Sequence, residues 1–217
     1  MDVITMFPQP LFVERFSEVD NNLVSKELKK LDYYSIDNNT TIIKSSKSKT
    51  NNLLDMPQFK PLWMAIQAMG NKVNHNYIQS TTELELVESW ATKTEPGGVG
   101  DVHYHTSAFL SGVYYPGEGA KIVFSNKRYA FDTNQHPEPE FKTRNTWNST
   151  DWSIDTHHNF CLLFYSTTDH QLAYNDSKDD RYSIAFNFVP AYKGKFNDVS
   201  KDKIESIEKR RKTIYGV

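Results

Sequence analysis

The chain has 217 residues, of which 24% are charged and 13% aromatic, with a formal net charge of -2. This length suits one well-buried core with a modest helical addition, so a single domain over 1–217 is expected. So even a balance of charge excludes a general attraction to polyanions, and nucleic acid is disfavoured as an obligatory partner.

The lone cysteine, Cys161, lies in an apolar run, leaves no internal disulfide and fits a packing role in a reducing compartment. No run has the length of a membrane helix, and the N-terminus, with Asp2, Pro8 and Pro10, lacks the basic and apolar regions of a signal peptide. A soluble, cytoplasmic protein is the expectation.

Residues 3–7 read as a strand halted by Pro8 and Pro10. Leu23, Val24, Leu28 and Leu31 recur at helical spacing and predict a helix over about 20–31. The Asn-, Ser-, Thr- and Lys-rich stretch 35–52 reads as loop with a short strand at 40–44. Leu62, Ile66, Met69 and Val73 predict a second helix within 57–76, amphipathic and core-packing. Residues 84–91 read as a strand and 95–100, with two adjacent glycines, as a turn.

Residues 101–115 then read as a strand, so side chains two apart share a face and His103 and His105 point the same way. Residues 116–119 form a turn and 121–124 a strand, followed by a long polar insertion, 126–155, that holds Pro137, Pro139, Trp147 and Trp152. Such an insertion is either functional or a cover for a sheet edge. The apolar run 160–164 precedes His170, and 181–189 alternates sharply. Arg181, Ser183 and Asn187 fall on one face of it, and Tyr182, Ile184, Phe186 and Phe188 on the other. A tail carries a predicted helix over about 200–213, in which Lys209, Arg210, Arg211 and Lys212 read as solvated charges favourably placed against the helix dipole. Two helices before a run of strands point to an α+β layout, a β-sandwich or barrel supported on one face.

The chemistry concentrates in a few places. Two imidazoles side by side invite a metal ion, since imidazole suits zinc, copper, nickel and iron, and His170 is the best third ligand. Arg181 and Ser183, two apart on a polar face, form a fork suited to a carboxylate. His157 and His158 are adjacent and so point to opposite sides of any strand, and His136 sits among polar residues; all three read as surface residues.

The order His-x-His (His103, His105), Ser-Gly-Val-Tyr-Tyr (111–115), a distant histidine (His170) and Arg-x-Ser (Arg181, Ser183) resembles the iron(II)- and 2-oxoglutarate-dependent oxygenases. The resemblance is closest to a subgroup found in bacteria and phages, and strongest over about 90–189. It implies a double-stranded β-helix (jelly-roll, cupin-like) core over about 84–190 with N-terminal supporting helices over about 1–80. It also implies iron(II) and 2-oxoglutarate as cofactors, and hydroxylation of a peptidyl residue such as proline or of a small metabolite, with release of succinate and carbon dioxide.

In that family two histidines and a carboxylate hold the metal; here His105 stands where the carboxylate is expected. His105 is favoured as a third imidazole ligand, with two alternatives open: a supporting role that leaves His103 and His170, or Asp101 donating from the same strand. Arg181 and Ser183 would receive the distal carboxylate of 2-oxoglutarate, helped by Tyr114 or Tyr115, of which alternation admits one and favours Tyr115. Two other functions compete: a non-catalytic cupin-like binding module, and a three-histidine metal oxygenase that does not use 2-oxoglutarate. The oligomeric state is left open.

Overall fold

The structure, a computed structural model, describes residues 1–2, 9–36, 45–126 and 140–191. The strands expected at 3–7 and 40–44, the helix at 200–213 with its basic cluster, and His136 lie outside the described residues.

Two antiparallel sheets form a jelly-roll core. The larger has seven strands in the order β1 (Leu11–Arg15), β8 (Phe160–Tyr165), β5 (Leu110–Tyr115), β10 (Arg181–Pro190), β4 (Leu84–Thr94), β3 (Ser45–Ser48) and β2 (Tyr33–Ser35). The smaller has three, β7 (Asp151–Asp155), β6 (Lys121–Ser125) and β9 (Asp169–Leu172). Between β4 and β10 the register shifts at Asn187/Phe188, where a bulge lets Asn187 pair with Glu88 and Phe188 with Leu86.

Two helices cover the outer face of the large sheet. Helix α1 (Asn21–Leu28) starts where the Asp20 carboxylate accepts from the amides of Asn22 and Leu23 at 3.0 and 3.1 Å, a cap that satisfies donors the first turn leaves open. It is shorter than the 20–31 expected, because Lys29 ends it and the Tyr33 hydroxyl bonds the Leu28 carbonyl at 2.9 Å. Helix α2 (Lys60–Val73) buries Leu62, Ala65, Ile66, Met69, Gly70 and Val73, the predicted stripe, and closes in a π turn over Asn74–Ile78. Each large apolar side chain so buried stabilises the fold by roughly 1.5–3 kcal/mol.

The hydrophobic core therefore has two compartments. Helix residues pack with Leu84, Leu86, Ala91, Leu110, Tyr114, Cys161, Leu163, Ile184, Phe186 and Phe188 outside the large sheet. Val113, Tyr115, Ile122, Phe160, Leu162 and Phe164 fill the space between the sheets. Strand β8 contributes to both, which is why it reads as an unbroken apolar run rather than an alternation. Cys161 is fully buried in the outer compartment, and burial pushes its thiol well up.

Candidate metal and cosubstrate site

The expectation of one strand over 101–115 is corrected: only Leu110–Tyr115 is strand, and residues 101–109 form a connecting segment. The physical reason is that its two ends belong to different sheets. Its first half runs along β9 of the small sheet. Gly100 N–H donates to the Leu172 carbonyl at 3.0 Å, and His103 and His170 exchange backbone hydrogen bonds at 3.0 and 2.9 Å. Further on, His105 N–H donates to the Ser166 carbonyl at 2.8 Å, and Phe109 N–H to Phe188 at 2.9 Å, entering the large sheet. No single straight strand could serve both. Gly100 has a steric reason: a Cβ there would meet the Leu172 backbone nitrogen at 3.1 Å.

This crossing brings three imidazoles together. One nitrogen from each of His103, His105 and His170 lies within 4.8 Å of the others. The ring centroids stand 4.4 Å apart for His103/His170 and 5.3 Å for the two pairs with His105, and the His105 and His170 rings are nearly parallel at 8°. Two rings are locked from behind, His103 Nδ1 on the Asp101 carbonyl and His170 Nδ1 on the Thr168 carbonyl, both at 2.9 Å. A carbonyl can only accept, so Nδ1 carries the proton and each Nε2 presents a lone pair, the usual outer support of a metal-bound histidine.

Burial, reinforced by the neighbouring imidazoles, holds His105 down to about 4 and His170 down to about 3, against an ordinary 6.5. Both are neutral near pH 7, the state a metal ion requires. Phe164 at 4.7 Å and Phe124 at 6.2 Å wall the His170 ring on the apolar side. The Asp101 carboxylate is not in this group; its carbonyl is what meets the His103 ring. His157 and His158 lie exposed between β7 and β8, where His158 faces Glu118 at 3.6 Å, away from the cluster.

Across the interior, on the large sheet, stand the other predicted residues. The two adjacent tyrosines separate cleanly by face. Tyr114 packs outward against Phe16 and donates to Asn159 Oδ1 at 2.5 Å, while Tyr115 enters the compartment between the sheets. Tyr115 is 1% exposed, and its hydroxyl has no hydrogen-bond partner among the described residues. Burial pushes this phenol up, and the nearby Arg181 guanidinium opposes the shift. Arg181, half-buried, donates through Nη2 to the Ala173 carbonyl, just beyond β9; burial lowers it, while Tyr115 and Asp176 act in the opposite sense. Ser183 is buried two residues along.

The structure adds residues that the sequence did not single out. On β4, Trp90 brings its ring to 5.8 Å from His105, and Lys47 of β3 holds its ammonium 4.3 Å from the centre of that indole. Glu88 accepts from Asn187 Nδ2 at 2.9 Å. Asn187 Oδ1 in turn accepts from the Ser111 hydroxyl at 2.7 Å, and Ser111 shares a 2.8 Å bond with Ser166. The alternation of Glu88, Trp90 and Thr92 was a readable signal in β4; Lys47, within a segment read mainly as loop, offered none.

The described residues fit a metal and a small diacid: three imidazoles with a nitrogen each within 4.8 Å of the others, and on the large sheet a guanidinium, a buried hydroxyl and a buried phenol with no hydrogen-bond partner among the described residues. Residues 88–187 match the sequence model of a family described as "Putative 2OG-Fe(II) oxygenase". No curated protein matches in sequence.

Among solved structures, HygX from Streptomyces hygroscopicus, with nickel, 2-oxoglutarate and hygromycin B bound, superposes with a TM-score of 0.57 at 13% identity over 85% of this chain and 84% of its own. The epimerase SnoN from nogalamycin biosynthesis gives 0.58 at 11%, over 84% and 79%. A Pseudomonas putida prolyl-4-hydroxylase gives 0.52 at 10%, over 82% and 92%. At such identities these likenesses establish the fold alone. The family match over 88–187 spans all three imidazoles and Arg181, and over that stretch the chain is similar to the 2OG-Fe(II) oxygenases.

Proposed function

We propose that this protein is an iron(II)- and 2-oxoglutarate-dependent hydroxylase in which His103, His105 and His170 hold the metal. Arg181 and Ser183 receive the distal carboxylate of 2-oxoglutarate, and Tyr115 donates its phenolic proton to the same group. The single observation that carries the reading is the convergence of three imidazole nitrogens within 4.8 Å, with two of the rings already fixed in the metal-binding tautomer.

Iron(II) with 2-oxoglutarate supplies the oxidation: one atom of O2 enters succinate as carbon dioxide leaves, and the other converts a substrate C–H to C–OH. The protein's part is to bind, orient and shield. Guanidinium and hydroxyl fix the diacid by charge-assisted hydrogen bonds, and the diacid gives an acceptor to the Tyr115 hydroxyl, which has none among the described residues. Phe124 and Phe164 shield the buried His170 ring, and Trp90 packs beside His105, while His103 stands exposed at the mouth.

With imidazole in place of the carboxylate, the ligand set carries one negative charge fewer. The tied rings compensate by reducing the ordering that metal binding must impose. The solved structures of this fold include an epimerase and a carbocyclase as well as a prolyl hydroxylase, and product analysis by mass spectrometry, with a gain of one oxygen, distinguishes hydroxylation from the other two outcomes.

The test is an anaerobic titration with iron(II) and 2-oxoglutarate, followed by assay of succinate after air is admitted. Slow succinate formation without added substrate is expected. Metal binding with no dependence on 2-oxoglutarate would favour a three-histidine oxygenase of another kind, and neither binding nor turnover would leave only a binding module.

A further inference from the structure

The three imidazoles are not secured alike. His103 and His170 each have the ring tied through Nδ1 to a backbone carbonyl at 2.9 Å, whereas the His105 ring rests against the Trp90 indole and has no hydrogen bond among the described residues. His105 is held instead by its backbone. Its N–H donates to the Ser166 carbonyl at 2.8 Å, and Ser166 N–H donates to the Phe109 carbonyl at 3.1 Å. Ser166 therefore clamps both ends of the connecting segment 105–109, and whatever places Ser166 places His105.

The Ser166 side chain opens a chain of hydrogen bonds across three strands of the large sheet, because Asn187 of β10 stands opposite both Ser111 of β5 and Glu88 of β4. The bonds run from Ser166 to Ser111 at 2.8 Å, from Ser111 to Asn187 Oδ1 at 2.7 Å, and from Asn187 Nδ2 to Glu88 at 2.9 Å. The far end sets their direction. A carboxylate only accepts, so the Asn187 amide turns its nitrogen to Glu88 and its oxygen to Ser111. Ser111 gives its one proton to that oxygen and must accept from Ser166. All three donors thus point the same way, an order in which each bond polarises the next.

Ser111, Ser166 and Asn187 are 1%, 1% and 2% exposed, which leaves no face for a ligand. Nor does the chain relay protons, since an amide keeps its hydrogens on nitrogen and passes none from oxygen to nitrogen in its stable form. What such a chain can do is fix position. We propose that Ser166, Ser111 and Asn187, anchored on Glu88, are positioning residues for His105, holding the one imidazole with no tether on its ring through the Ser166 carbonyl. This rests on the reading above that His105 is a metal ligand.

The test is a double-mutant cycle on the full-length protein: cobalt(II) affinity, by chelator competition and visible absorption, in wild type, Ser111→Ala, His105→Ala and the double variant. Ser111→Ala should weaken cobalt binding about tenfold or more, the range for groups that support a metal ligand from behind. In the His105→Ala background the same substitution should change affinity less than about twofold, because the coupling is lost with the residue it acts on. The cobalt absorption of Ser111→Ala should shift toward that of His105→Ala. Thermal unfolding of the metal-free variants checks folding. Ser166→Ala, which removes the hydroxyl and keeps both backbone bonds, should repeat the pattern and replaces Ser111→Ala if that variant does not fold.

Wild-type affinity in Ser111→Ala, beside weakened binding in His105→Ala, overturns the proposal and leaves the third-ligand reading intact. Equal weakening by Ser111→Ala in both backgrounds overturns it in favour of general support of the sheet. Wild-type affinity in His105→Ala removes His105 from the metal, and the proposal with it.

Discussion

The His170 ring is held by one hydrogen bond and two aromatic neighbours, and faces two other imidazoles, so its removal tests the metal site directly. His170→Ala should lose metal on gel filtration; retention equal to wild type would take His170 out of the site. Arg181→Ala should bind metal normally but bind 2-oxoglutarate about 30- to 100-fold more weakly, in line with about 2–3 kcal/mol for hydrogen bonds to a charged group. Unchanged 2-oxoglutarate calorimetry would refute the fork.

Tyr115→Phe separates fold from function with opposite signs. The hydroxyl is buried with no hydrogen-bond partner among the described residues, an arrangement that costs about 1–3 kcal/mol. The metal-free variant should therefore unfold at equal or higher urea than wild type, while its affinity for 2-oxoglutarate falls. A less stable variant would mean that the phenol has a partner at rest.

At the scale of elements, the site depends on how closely helix α2 and β5 approach β10. A Cβ on Gly112 would stand 2.3 Å from Phe186 Cζ and 2.6 Å from the Leu162 carbonyl, and a Cβ on Gly70 would stand 2.6 Å from Phe188 Cζ. These two glycines let aromatic rings of β10 lie across a neighbouring strand and against a helix. Gly112→Ala should destabilise by about 1–3 kcal/mol, read as a lower urea midpoint, because the contact includes backbone that cannot yield. A midpoint equal to wild type would mean that β5 can shift without loss. The same strand carries Ser111 and Tyr115 on its inner face, so a displaced β5 should also weaken 2-oxoglutarate binding.

For the whole molecule, the imidazole cluster makes stability depend on pH before any ligand is present. His105 and His170 hold values of about 4 and about 3 in the folded protein, against 6.5 for an ordinary imidazole. Between about pH 6.5 and 4 the unfolded state binds protons that the folded state refuses, so stability falls as acid is added; above pH 6.5 both states are neutral and this contribution is level. Urea midpoints of the metal-free protein should drop across that window, with a smaller drop in His170→Asn. An identical slope in the variant would show that carboxylates, not the imidazole cluster, set it. No helix among the described residues is long and apolar enough to cross a membrane.

The amino-acid order alone determined the parts governed by periodicity and local chemistry. These were the amphipathic stripe of α2, the continuous apolar run of β8, and the alternation that puts Arg181, Ser183 and Asn187 on one face. Each follows from a period of 2 or 3.6 residues, which any local segment holds within itself. Three-dimensional packing decided what period cannot encode. His103 and His105 read as a strand pair, yet they meet His170 because a connecting segment borrows hydrogen bonds from β9 before entering the other sheet. Lys47 reaches Trp90, and Asn187 reaches Glu88, only because strands distant in sequence become neighbours in the sheet. Such contacts depend on the closure of long loops around a shared core, and residues brought together that way leave no mark in the spacing of either segment.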